Sequence, residues 1–110
     1  MITVTMHRQK SLYVGFTCTG HADYDEVGRD IVCSAVSALT QTCLIGLTDV
    51  IGIQADISVD ESDGIRCLLG LDTAGERAKQ AELLFQTMAA GLRAIDRAYP
   101  KTLKICNREV

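Results

Sequence analysis

Three residues in the first third of the chain are of types that carry acyl-transfer chemistry together: Cys33, His21 and Asp30. A thiolate attacks a peptide carbonyl readily, but hydrolysis also needs a proton for the leaving amine and removal of one from the incoming water. Imidazole is suited to both steps. Asp30 stands where a helix N-cap is expected, which makes Ile31, Val32 and Cys33 the first three helical residues. Unpaired N–H groups and the positive end of the helix dipole favour a thiolate there, and the N–H groups of Cys33 and Ser34 are then available to hold an oxyanion. Ser37 lies one turn beyond Cys33 on the same face, where its hydroxyl either steadies the site or bonds to the Cys33 carbonyl.

The other histidine, His7, falls at the end of the first strand pattern with no evident partner, which leaves His21 as the better base. Asp23, Asp25, Glu26 and Asp30 each favour the imidazolium form, and Asp30 is the most economical orienter of the ring, although the cap competes for its carboxylate. Plainer readings exist for every one of these residues. A cysteine in an apolar helix is commonly inert core, Asp30 can be only a cap, a loop histidine beside acids can be only solvated, and Ser37 can be a back-bonding helix serine.

Five cysteines, Cys18, Cys33, Cys43, Cys67 and Cys106, form an odd set with no CxxC pair. They read as free thiols of a reducing compartment, and all but Cys33 as structural. No metal or other cofactor is expected. Asp23-x-Asp25-x-x-Gly28 opens like an EF-hand loop, but Val27 and Ser34 stand where oxygen ligands belong. Cys18-x-x-His21 with Cys33 has ligand chemistry, yet Cys18 continues an apolar alternation that points it into the core.

The elements that must position these residues follow from periodicity. Ile2, Val4 and Met6 alternate, Arg8 to Ser11 interrupts, and Leu12, Val14, Phe16 and Cys18 alternate back, a hairpin with one apolar face. Gly20 to Arg29 has no period and reads as a loop. After Asp30 a helical stripe runs through Val32, Val36, Leu39, Cys43, Leu47 and Val50 and stops at Gly52. Ile53, Ala55, Ile57 and Val59, an Asp63-Gly64 turn, then Ile65, Cys67, Leu69 and Leu71 predict a second hairpin. Thr73 and Glu76 have capping-box spacing ahead of a second helix bearing Ala81, Phe85, Met88, Leu92, Ile95 and Tyr99. Pro100 ends it, and Leu103 and Ile105 begin a closing strand.

The predicted fold class is α+β, a five-stranded sheet in the order ββαββαβ with two helices on one face, as a single domain over residues 1–110. The other face would carry Thr3, Thr5, Tyr13, Thr17, Gln54, Asp56, Ser58 and Lys104. A net charge of −3 and a pI near 5.2 argue against direct nucleic-acid binding. No apolar run is expected to reach the roughly 20 residues of a membrane span, and Met1 to Met6 alternates where a signal peptide would not, so a cytoplasmic protein is expected.

Gly20-His21-Ala22, then Gly28, then Asp30-Ile31-Val32-Cys33-Ser34-Ala35-Val36-Ser37 resembles the signature of the ribosomal-processing cysteine protease family. The family string has alanine where this chain has Ser34, a small-for-small change that keeps the backbone N–H. The resemblance covers nearly the whole chain. It implies a homodimeric bacterial endopeptidase that removes a short N-terminal extension from a large-subunit ribosomal protein. It also implies His21 and Cys33 as catalytic pair, Asp30 and Ser37 as supporting residues, and a loop containing Gly20 and Gly28 that is mobile and orders around substrate. Two alternatives from other classes are a ribosome-associated module that grips the extension without cutting it, and a thiol redox sensor using Cys33.

Overall fold

The computed structural model describes residues 1–20, 27–60, 64–70 and 73–110, and the side chains of all these except 27–30. Strands β1 (Ile2–Gln9) and β2 (Leu12–Thr19) form the first hairpin, with Lys10 and Ser11 at φ 51° and 71° in its two-residue turn. Ile2, Val4 and Met6 are buried as their alternation requires. On β2 the alternation reverses midway, because His7 pairs with Gly15 but Arg8 pairs with Tyr13, leaving Val14 as an extra residue. Leu12 is therefore exposed and Tyr13 packs on the core, the reverse of the sequence expectation for both. The Tyr13 N–H donates to the Glu82 carboxylate, and the Arg8 guanidinium lies 5.5 Å from the Tyr13 ring centre.

Helix α1 (Val27–Ile45) begins earlier than the sequence suggests, so Asp30 lies inside the helix instead of capping it. The apolar stripe holds as far as Leu47, with Val32, Val36, Cys43 and Leu47 all buried. The chain then widens into a π-helical turn, Gly46–Ile51, whose extra residue per turn rotates the stripe. Val50 swings out to 79% exposure while Ile51 packs on the core. Gly52 ends the segment in the left-handed conformation, as its type predicts.

Ile31–Ile51 is by length and composition enough to cross a membrane, contrary to the expectation that no run approaches that length. Its apolar stripe, Val32, Val36, Cys43 and Leu47, is buried in the core of the domain.

The second hairpin is β3 (Ala55–Asp60) against β4 (Gly64–Leu69); Asp63 of its expected turn and Leu71 fall outside the described residues. Helix α2 (Gly75–Ala98) starts from Ala74 with no side-chain cap, so the Thr73–Glu76 capping box is not made. It buries Ala81, Phe85, Met88 and Leu92. Tyr99 follows as a cap 38% exposed.

Strand β5 (Leu103–Glu109) closes the sheet in the order β3-β4-β2-β1-β5, antiparallel except where β5 runs parallel to β1. Both helices cover the face carrying Val4, Met6, Phe16 and Cys67. Phe16 meets Phe85 of α2 edge to face, with ring centres 6.2 Å apart. The helices interlock: Leu39 of α1 sits over Gly91 of α2, and Leu84 of α2 over Gly46, where an added Cβ would meet each leucine at 2.9 Å.

The π-helical turn gives neighbouring stripe residues opposite fates. Leu47→Ala is expected to cost about 2–5 kcal/mol and Val50→Ala less than about 0.5 kcal/mol, measured by urea unfolding. Similar losses at both positions would show that the stripe continues straight through.

Candidate active site

Cys33 is part-buried on α1, one residue past Val32, so the burial of Val32 and Val36 against the sheet sets its direction. It lines a cavity of about 230 Å³ with Cys18, Gly20, Val36, Ser37 and Thr40, and with Ile2, Gly64 and Ile65 from the strand ends. The structure thus brings Cys33, Ser37 and Gly20, three of the residues singled out in the sequence, to one cavity.

His21 and the acids Asp23, Asp25 and Glu26 lie outside the described residues. Gly28 lies within α1, not in the loop assigned to it.

Two glycines shape the cavity's rim. Gly20 has φ 94°, and a Cβ there would come within 2.4 Å of the Met1 carbonyl oxygen. Gly64, at φ 87°, would place a Cβ 2.0 Å from the Cys18 carbonyl oxygen. Only glycine permits these backbones to cross so closely with that turn of the chain. Gly20 therefore fixes where the chain leaves β2, immediately before His21.

The early start of α1 has a chemical consequence. Cys33 lies nearly two turns inside the helix, so the N–H groups of Cys33 and Ser34 belong to its internal ladder and not to the unpaired first turn. The expected oxyanion role for those two groups is corrected accordingly.

Ser37 accepts a hydrogen bond from Gln41 Nε2 at 2.8 Å, and its carbonyl accepts from Thr40 Oγ1 at 3.2 Å. Thr40 is fully buried and also donates to the Val36 carbonyl at 2.9 Å. Sequence reasoning passed over Thr40, although a threonine inside an apolar stripe is itself a signal. It also took Cys18 as ordinary core; Cys18 does pack on the core, but at the edge where the cavity opens. Burial, and then the charge of Cys33, push the Cys18 thiol up to about 11. Burial pushes Cys43 and Cys67 up to about 12.

His7 has a partner after all: its Nε2 lies 2.7 Å from Thr17 Oγ1. It alternates with buried Met6 and so faces the side of the sheet away from α1, where burial, then Arg108 and Arg66, lower its pKa. A larger hollow of about 570 Å³ between α2 and β5, lined by residues such as Arg93, Asp96 and Lys101, contains no cysteine or histidine. Among the described residues no three metal-ligating side chains cluster.

Residues 1–104 match the family model described as Cysteine protease Prp. The chain is 34% identical to the ribosomal processing cysteine protease Prp of Staphylococcus aureus over 89 residues, 78% of each chain. It also resembles two crystal structures of the S. aureus protease. One, with a substrate peptide, has TM-score 0.82 at 27% identity, over 98% of this chain and 100% of that one. The other, with a covalently linked product peptide, has TM-score 0.80 at 28% identity, with the same coverage.

The raised thiols order the cysteines by reactivity. With pKa near 11 or 12, Cys18, Cys43 and Cys67 stay protonated at pH 7.5, and their thiolate fraction grows about tenfold per pH unit below those values. Iodoacetamide at pH 7.5 is expected to label part-exposed Cys33 and Cys106 first, read by peptide mass mapping. Equal labelling of Cys18 at that pH would contradict the ordering.

Proposed function

The chain belongs to the Prp cysteine protease family, and from that premise we propose that it cuts a short N-terminal extension from a bacterial large-subunit ribosomal protein, with Cys33 as nucleophile and His21 as general acid and base. The observation that carries the assignment is the shared cavity of Cys33 and Gly20, Gly20 being the residue that His21 follows in the sequence. His7 faces the other side of the sheet and does not compete for the role.

The Cys33 thiolate attacks the scissile carbonyl carbon, and the tetrahedral adduct collapses as the C–N bond breaks. His21 protonates the departing amine, then takes a proton from the water that releases the acyl group from sulfur. Asp30 and Ser37 act as supporting residues, Ser37 through the Gln41 contact that fixes its hydroxyl beside the cavity. The acids Asp23, Asp25 and Glu26 favour the imidazolium and attract a basic ribosomal segment.

The peptide complexes of the S. aureus protease, one of them covalent, support a peptide substrate and a covalent intermediate here. One catalytic domain over residues 1–110, a homodimer and a cytoplasmic location complete the reading, with no metal or cofactor required.

Incubation with a peptide spanning the ribosomal extension tests it by mass spectrometry. Wild type is expected to cleave, Cys33→Ala to lose roughly a thousandfold or more, and His21→Ala about 10²–10⁴-fold. Undiminished cleavage by Cys33→Ala would sink the assignment. An intact peptide after long incubation with reduced wild type would instead mark a binder.

A further inference from the structure

The cavity holds a second thiol that peptide cleavage leaves unused. Cys18 pairs across the sheet with Val4 on one side and Ile65 on the other, which aims its side chain to the face covered by the helices. There it lines the same hollow as Cys33, and no other cysteine does. The two sulfurs also feel each other's charge, which adds to burial in raising the Cys18 thiol.

We propose that Cys18 is a resolving cysteine for Cys33, so that peroxide converts the pair into a reversible disulfide across the cavity. The chemistry balances with hydrogen peroxide as oxidant. The Cys33 sulfur attacks one peroxide oxygen, the O–O bond breaks, and the hydroxide released becomes water as Cys33 becomes a sulfenic acid. Cys18 then gives up its proton and its sulfur attacks the Cys33 sulfur. The S–O bond breaks, and the departing hydroxide takes that proton to form a second water. Two thiols are oxidised to one disulfide and one peroxide is reduced to two waters.

The other cysteines do not compete. Cys67 is wholly buried and Cys43 4% exposed, and neither lines the cavity. Cys106 pairs with Thr5 on the sheet face turned away from the helices, remote from the cavity. Burial of Cys18 makes closure slow at neutral pH and faster as pH rises, about tenfold per unit while the thiol remains mostly protonated. The disulfide itself depends only on the two sulfurs meeting, while its effect on cleavage rests on Cys33 being the nucleophile.

The test is exposure of the full chain to dilute hydrogen peroxide at pH 7 and pH 9, alkylation of the remaining thiols, and digestion without reduction. Peptide cleavage is assayed before and after dithiothreitol. A linked Cys18–Cys33 peptide, formed faster at pH 9, with activity lost on oxidation and restored by reductant, is expected. Cys18→Ser and Cys18→Val should give no linked peptide, should carry sulfinic or sulfonic acid on Cys33, and should not regain most of their own reduced activity. Oxidised Cys33 in wild type without the linked peptide overturns the proposal, as does recovery in both variants equal to wild type. A linked peptide with undiminished cleavage upholds the bond and overturns the role of Cys33, so the two failures are distinguishable.

Discussion

The site depends on the burial of Val32 and Val36 beneath α1. Once those side chains are buried in the core, the helical repeat leaves one direction for the residue that follows Val32. That direction is the end of the sheet where β2 and β4 meet. The thiol is held by apolar packing of Val32 just before it and Val36 a turn after it, with Thr40 bonding back to the Val36 carbonyl at the cavity wall. Rigid support of this kind lets a small domain present a reactive group without a deep pocket.

Much of the fold was legible because its periods are clean. The alternation of Ile2, Val4 and Met6 and the stripe of α2 from Ala81 to Leu92 are buried as read. The misreadings cluster where one extra residue enters a regular element. Val14 in the β2 bulge reverses the faces of Leu12 and Tyr13, and the π-helical turn does the same to Val50 and Ile51. Alternation counted along a sequence carries no mark of such an insertion, since its cause lies in the partner strand or helix. Strand order was illegible for a related reason: the parallel pairing of β5 with β1 joins opposite ends of the chain.

The site was legible from its motif and much less from its geometry. Asp30 has the right type for a cap, and the string after it is apolar, so a helix starting there was a reasonable expectation. The helix instead recruits Val27, Gly28 and Arg29, residues with no apolar period, which local pattern alone could not reveal. Cys18 and Thr40 were missed because their types suit a core and their stations on β2 and α1 are regular. Only the meeting of strand end and helix makes them cavity walls.

Met1 and Ile2 tie the cavity to the far edge of the sheet. The Ile2 side chain is part of the cavity's lining, its N–H donates to the Thr102 carbonyl at 3.1 Å, and the Met1 carbonyl is the surface on which Gly20 rests. The contact between Ile2 and Leu103 is among the most distant in sequence that the fold contains, and such pairings carry a high loop-closure entropy. Strand β5 lends the cavity no lining residue of its own, yet by pairing with Ile2 it braces that wall from the side of β1 opposite β2.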